Sequence, residues 1–500
     1  MLLTSTWNLS ILLIFIALYV LYKYFTRNFN YWEKRGIFYI KPLPFFGNFF
    51  DTFTFKSTIA HGLKAIYDQS KGDFVGAFVF DTPVLILRSP KLIEHVLIKD
   101  FSFFKDRSLA SPKHNPIVAN WLLFQGYSDW KKTRPKITSI FSSGKIKGMF
   151  YTAKPIIDDM YAFITNKDVV IEVKDLSRRY STEVVSRCYF GMGGRCFEKG
   201  NSEIQNIATR LFEFSARNAI IQGLHVFKPQ WVELFKLDFM KRSDQDYMLD
   251  AFMDVVNERK KVKAQDGKAF DYIDIILETQ ESTNNDNKIG MTEVMSNTLQ
   301  FFIAGTETMS SVQSFCLYEL AIHPEIQDKA RKEVNVVVKR HGALTYEAIH
   351  DMEYVHFCVL ETLRKYVSLQ IIDRKAVEDY RIPDTDIIIE KGTIIYIPFY
   401  AVHQDEKYYP DPTRYNPDRF FNKSNVEGIN FLPFGAGPRA CIGERFGMII
   451  SKLFVASILL EYMIEPCETT PIPVELETRS FVFQSKTGLP LTLKPITDVR

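Results

Sequence analysis

The stretch Phe434-Gly435-Ala436-Gly437-Pro438-Arg439-Ala440-Cys441-Ile442-Gly443 decides how this 500-residue chain is read. It fits F-x-x-G-x-R-x-C-x-G at every fixed position, and each fixed residue has a physical task if Cys441 is a thiolate on haem iron. The glycines let backbone approach a flat cofactor and enter turns closed to other residues. Arg439 can fork onto an anionic propionate. The run 444–461, ERFGMIISKLFVASILLE, reads as an amphipathic helix, which puts Cys441 at a helix N-terminus. There the dipole and the amides of Ile442 and Gly443 favour sulfur as an anion. Two plainer readings compete. A lone cysteine in a large intracellular chain is commonly just a buried apolar residue. Gly435, Gly437 and Ala440 also spell G-x-G-x-x-A, but a dinucleotide site needs a preceding strand and a βαβ unit with an acidic residue about 20 positions on. No strand-like run follows the helix at that distance, and Pro438 and Arg439 suit a haem loop better.

Composition sets the bounds. With 46% hydrophobic residues the chain can bury a large core, and a net charge of +3 gives no footing for nucleic acid. Its 42 phenylalanines and 24 tyrosines suit an apolar interior. Cys188, Cys196, Cys316, Cys358, Cys441 and Cys467 form no C-x-x-C pair or zinc spacing, which fits a reducing, cytosol-facing protein. Residues 2–22 carry no charge, and Lys23, Arg27, Lys34 and Arg35 follow. About 20 helical residues span one hydrocarbon core. Neither the early positive charge and small-x-small site of a cleaved signal peptide nor the arginines of a mitochondrial presequence are present. A signal anchor is expected, with the body on the cytoplasmic side. Asn422-Lys423-Ser424 matches a glycosylation triplet, which on that side is chance.

Past the anchor, Lys41-Pro42-Leu43-Pro44-Phe45-Phe46-Gly47-Asn48 predicts a stiff, extended path. The run 73–88 predicts a hairpin turning at Asp81-Thr82-Pro83. From Pro90 to about Ile276 the pattern is mostly helical, and 282–287 is a polar loop. Residues 292–322 predict a helix about 46 Å long. Its Glu293, Glu307 and Glu319 argue for the middle of a core rather than a bilayer. Strand-like runs lie at 381–389, 393–397, 481–483 and 491–493. The pattern is α+β, mainly α.

Three further motifs bear on chemistry. Ala304-Gly305-Thr306-Glu307-Thr308 lies inside the long helix, with Ala304 and Thr308 on one face. A mid-helix glycine costs about 1 kcal/mol against alanine, so Gly305 implies close approach or local distortion. Glu361-Thr362-Leu363-Arg364 is an E-x-x-R pair, worth only about 0.2–0.5 kcal/mol if solvated. Here it lies amid apolar residues, and Pro417-Asp418-Arg419-Phe420 comes later in the chain. Trp130 and Arg134 stand one helical turn apart.

On these motifs the chain resembles the cytochrome P450 family over essentially its whole length. The resemblance implies the cytochrome P450 fold, with a long central helix, small β-sheets, and haem b between that helix and the cysteine loop. The expected parts are an anchor (1–22), a basic, proline-containing hinge (23–48) and a monooxygenase domain (49–500). Cys441 is then the axial ligand to iron, and Phe434 belongs to its loop. Trp130, Arg134, Arg374 and Arg439 are the matches for cofactor contacts. Thr308 matches the residue that passes protons to oxygen, under a widened helical turn, and Glu307 matches its acidic neighbour. Glu361, Arg364 and Arg419 match a buried triad that braces the loop, with Asp418 where a glutamate is commoner.

The activity implied is insertion of one atom of O2 into an apolar small molecule. Electrons would come from NADPH through a membrane-bound flavoprotein, NADPH–cytochrome P450 reductase, with cytochrome b5 as a second donor, at the endoplasmic reticulum membrane. Lys131, Lys132 and Lys136 are candidates for the reductase face, or a plain solvated one. The regions 101–124, 211–239, 301–304, 367–371 and 481–483 would line the substrate cavity, and Phe227, Trp231, Phe235 and Phe239 would dip into lipid or pack in the core. Val367-Ser368 stands where close relatives often have two prolines. Residues 134–145, the 41–48 segment and Asp373-Arg374-Lys375 look like the insect microsomal branch involved in detoxification. Two alternatives are a haem-thiolate isomerase or dehydratase, which can dispense with the acid–threonine pair, and a non-enzymatic haem sensor.

Overall fold

The structure is a computed structural model that describes residues 2–165, 170–198, 202–263, 273, 290–421 and 429–496. The polar run 282–287 and the triplet Asn422-Lys423-Ser424 lie outside the described residues. The chain divides into two compact units: Met1–Ser108 with Ile371–Val402 and Ala436–Pro438, and Leu109–Gln370 with His403–Gly435 and Arg439–Arg500.

The first unit is built on a four-stranded sheet. Strand Phe74–Val79 pairs antiparallel with Thr82–Leu87, which pairs parallel with Ile394–Ile397, which pairs antiparallel with Ile372–Lys375. The alternation in 73–88 predicts the hairpin, but Val79 faces Thr82, so the turn falls at Phe80-Asp81, before Pro83. Phe80 takes a positive φ of 55° there. The run 381–389 forms only two short strands, Tyr380–Arg381 and Ile388–Ile389.

The N-terminal helix Leu2–Thr26 contains an 18-residue span, Leu9–Thr26, of mean hydropathy 1.9 and with no part buried. By length and composition it can cross a membrane. The segment after this helix is seated against the sheet. Trp32 is buried, its Nε1 donates to the Ala77 carbonyl at 3.0 Å, and its ring fills the space where a Cβ on Gly76 would stand. Arg27 pairs with Asp81 at 2.8 Å, and Arg35 grips Glu390 with Nη2 at 2.6 and 2.7 Å from the two oxygens.

The second unit is helical. Its axis is Met291–Ile322, buried on most sides, as its length and apolarity predict. It packs against Val173–Tyr189, Glu353–Lys365 and Glu444–Glu461. A Cβ on Gly305 would come within 3.0 Å of Val185 Cγ2, so this glycine serves close helix contact. The helix is α throughout, with no widened turn at 304–308. Buried Glu319 near its end meets Lys365 at 2.8 Å and the Tyr366 hydroxyl. Helix Glu444–Glu461 has the bounds the sequence predicts but not the amphipathic character. Residues 449–459 are buried all round, with the Ser457 hydroxyl on the Phe454 carbonyl and Lys452 Nζ directed to the His350 carbonyl. Strands Val170–Glu172, Pro490–Pro495 and Tyr462–Pro466 form a three-stranded antiparallel sheet. The run 481–483 is a turn, not a strand.

Candidate haem-thiolate site

The loop 434–441 closes on itself, with the Cys441 N–H donating to the Phe434 carbonyl at 2.8 Å. Gly435 and Gly437 hold φ of 73° and 72°, a region that side-chain-bearing residues rarely enter. Within the first unit, a Cβ on Gly437 would lie 2.0 Å from the Leu97 carbonyl oxygen, so backbone approach alone excludes any other residue. Leu97 stands in the π-turn His95–Lys99.

Cys441 is exposed at its surface yet crowded by protein at longer range, as a side chain facing an internal space is. Burial raises its thiol pKa and is the largest influence. The amides of Gly443 and Glu444 and the charge of Arg134 oppose it. The amide donors are thus one residue further on than the sequence places them, because the helix begins at Glu444 with Gly443 as its cap. A thiol raised by burial, with amides and a cation still aimed at it, suits a metal cation that would hold it deprotonated.

Helix Tyr127–Thr138 brings Trp130 and Arg134 to this loop. Arg134 Nη2 donates to the Ala440 carbonyl at 2.9 Å. Arg439 is buried, lies 4.6 Å from the Trp130 ring centroid, and donates to the Gln125 carbonyl at 3.2 Å. Two guanidiniums gathered beside one cysteine suit a cofactor with carboxylate arms. Arg374 belongs to the first unit, buried in strand Ile372–Lys375 with Nη1 on the Asp373 carbonyl at 2.8 Å. The Asp373 carboxylate holds the Ser108 amide and hydroxyl.

On the long helix, Ala304 is exposed in an otherwise buried stretch and Thr308 is half-buried. The two share a face as the spacing predicts, with Thr308 Oγ1 donating to the Ala304 carbonyl at 2.6 Å. Glu307 is buried and meets Lys174 at 2.7 Å and Arg178 at 3.3 Å. Burial pushes the Lys174 amine down to about 8, and the Glu307 carboxylate opposes that. Neither cation carries a motif; their i, i+4 spacing in 173–189 is the signal that sequence reading passes over.

The E-x-x-R pair is fully buried. Arg364 Nε and Nη2 reach the two Glu361 oxygens at 2.7 and 2.9 Å. Arg419 Nε reaches Glu361 at 3.0 Å and its other nitrogens take the carbonyls of Pro410 and Asp411. His403 completes this group, with its carbonyl on Arg364 Nη1. No sequence signal marks it.

Of the four aromatic residues proposed for lipid, Phe227 is buried and Phe239 half-buried against Trp121, whereas Trp231 and Phe235 are exposed. Lys131 and Lys132 are exposed and Lys136 is half-buried.

The cytochrome P450 family model matches residues 39–491. The chain is 34% identical to cytochrome P450 6k1 of Blattella germanica over 94% of each chain. It is 32% identical to cytochrome P450 6a2 of Drosophila melanogaster, over 97% of this chain and 99% of that one. It is 30% identical to cytochrome P450 6B2 of Helicoverpa armigera, over 97% and 98%.

Proposed function

We propose a role in oxidising apolar foreign compounds for this chain, which belongs to the cytochrome P450 family and is a haem-thiolate monooxygenase. Its cofactor is haem with a cysteine thiolate on the iron, and its electrons come from a redox partner. Bound through a thiolate, haem supplies electron density that favours O–O cleavage. The net reaction is RH + O2 + NADPH + H⁺ → ROH + H2O + NADP⁺.

One observation carries the site assignment. A single unit holds an exposed cysteine with amides aimed at its sulfur, and a long buried helix that opens at Ala304 and Thr308. In this reading Cys441 is the metal ligand, and Phe434, Trp130, Arg134 and Arg439 hold the haem. Arg374 keeps the role the resemblance implies. Glu307 and Thr308 move protons at Oε and Oγ1. Plant toxins and insecticides are the proposed substrates, with endogenous lipids or hormones as the second class. The exposed Leu9–Thr26 span supports anchoring at the endoplasmic reticulum membrane, body on the cytoplasmic side, where NADPH–cytochrome P450 reductase and cytochrome b5 would donate electrons. Exposed Lys131 and Lys132 support an acidic partner surface. The parts are then anchor 1–22, hinge 23–48 and catalytic body 49–500.

The test is a panel of apolar substrates with purified reductase, following product and NADPH together. Stoichiometric oxygenated product is expected. NADPH use with no product across the panel would move the role away from foreign compounds, and no NADPH use at all would reject electron delivery by this reductase.

A further inference from the structure

Glu307 is 1% exposed, and both cations that hold it come from helix Val173–Tyr189. Lys174 is committed locally, since its Nζ also donates to Ser310 Oγ at 2.8 Å. Arg178 is divided. Its Nε lies 3.3 Å from Glu307 Oε2 and its Nη2 lies 3.3 Å from Gln484 Oε1. Charge-assisted pairs between arginine and carboxylate settle near 2.7–2.9 Å. Two long bonds on one rigid, planar fork describe a guanidinium held between two acceptors.

The second acceptor is anchored in the turn 480–484. Gln484 is buried, its Nε2 donates to Ser480 Oγ at 3.1 Å, and Ser480 Oγ donates to the Val482 carbonyl at 2.6 Å. Gln370 Nε2 holds the Ser480 carbonyl at 2.8 Å. Ser311, one turn beyond Glu307 on the long helix, donates to the Phe483 carbonyl at 2.7 Å. A displacement of Phe483 therefore moves Gln484, and moving Gln484 changes the grip of Arg178 on Glu307.

We propose that Gln484 is a positioning residue that sets how tightly Arg178 holds Glu307, coupling the 480–484 turn to the proton path. This rests on the reading of Glu307 and Thr308 as that path. An apolar molecule seated against half-buried Phe481 would shift the buried Phe483 next to Gln484 and so reset the grip, and protons would be delivered according to occupancy of the turn. A poorly seated molecule would leave the acid clamped. Oxygen would then leave as peroxide, O2 + NADPH + H⁺ → H2O2 + NADP⁺.

Two near-isosteric variants test the link with opposite signs. Gln484→Met removes the competing acceptor, so Arg178 closes on Glu307 and the peroxide fraction per NADPH rises about threefold, with a larger solvent isotope effect. Gln484→Glu draws Arg178 towards the turn and lowers both. The C–O stretch of the reduced carbonyl complex, read without turnover, shifts in opposite directions in the two variants. General loosening of the turn moves both variants the same way, so shifts of one sign, or none, overturn the proposal. Glu307→Gln separates the two levels. If it leaves the peroxide fraction unchanged, the proton-path reading falls and the link with it. If it raises that fraction while the Gln484 pair does not diverge, the link alone falls.

Discussion

His403 accepts the backbone N–H of Leu432 through Nε2 at 3.1 Å. Its ring also stacks on Phe431, and its carbonyl takes Arg364 Nη1 at 2.9 Å. The E-x-x-R pair thus reaches the segment leading into the cysteine loop through a third residue. The histidine does this only while neutral, with its proton on Nδ1. Burial first, and then the Arg364 charge, push its pKa down to about 3.

That depression has a pH consequence. The unfolded chain titrates His403 near 6.5 and the folded chain near 3, so in this window the unfolded state binds the extra proton. Stability is fully present above 6.5 and is lost as pH falls, by up to roughly 1.4 kcal/mol per unit. His356, lowered by burial to about 4, acts in the same direction. His403→Gln keeps a neutral acceptor and removes one titration. Between pH 6.5 and 4.5 its urea midpoint should fall less than the parent's. Equal slopes would take His403 out of the acid sensitivity.

Arg364→Ala takes the bidentate partner from the Glu361 carboxylate, which is wholly buried. Losing one partner of such a pair costs roughly 3–5 kcal/mol, a large part of a domain's stability. The expected result is little folded, haem-containing protein rather than slow turnover. Normal yield and haem content would show that Arg419 and the Asn416 amide, both on Glu361 Oε1, suffice to hold the carboxylate.

Cys441→Ala removes the proposed ligand without burdening the loop, since the Cys441 amide still closes on Phe434. The reduced carbonyl complex should lose its red-shifted Soret band while the far-UV spectrum persists. Retention of the band would place the thiolate elsewhere, and among the described residues only Cys467 is also not fully buried.

Thr308 Oγ1 is spoken for by the Ala304 carbonyl at 2.6 Å, so in the proposed role it would pass a proton only by rotating away from that bond. Thr308→Ala should raise peroxide released per NADPH consumed. Unchanged coupling would remove Thr308 from the path.

Local chemistry made much of this legible. Cys441, Arg439 and the glycines of the loop form a dense motif because the residues that shape it fall within ten positions, with Gly435 and Gly437 both at positive φ. The long helix is legible because 32 residues of apolar pattern admit few other states. His403, Lys174, Arg178 and Gln484 were not legible. Each acts through a partner more than 25 residues away, and such contacts leave no spacing in the sequence. The short strands Val170–Glu172 and Ile372–Lys375 escaped for a related reason. Pairing with distant strands, not their own pattern, makes them extended. The widened turn is a different case: the family resemblance implies it, whereas the helix here is regular through 304–308.

Where the anchor ends can be found by truncation. Helix Leu2–Thr26 is unburied over Leu9–Thr26, so removing 1–22 should weaken membrane attachment and leave the haem spectrum unchanged. The cut cannot be moved much further. Trp32 is 2% exposed and covers Gly76 and Ala77 of the first strand, and Arg35 holds Glu390 beside the strand Ile394–Ile397. Deleting a buried tryptophan side chain costs roughly 3–5 kcal/mol. Trp32→Ala, or removal of residues 1–36, should therefore lower the urea midpoint of the body, with an unfolding free energy smaller by about that amount, whereas Lys34→Ala, on an exposed side chain, should not. Equal midpoints for the two truncations would mean that this segment is a free tether, and the seat at Gly76 would have no part in holding the body.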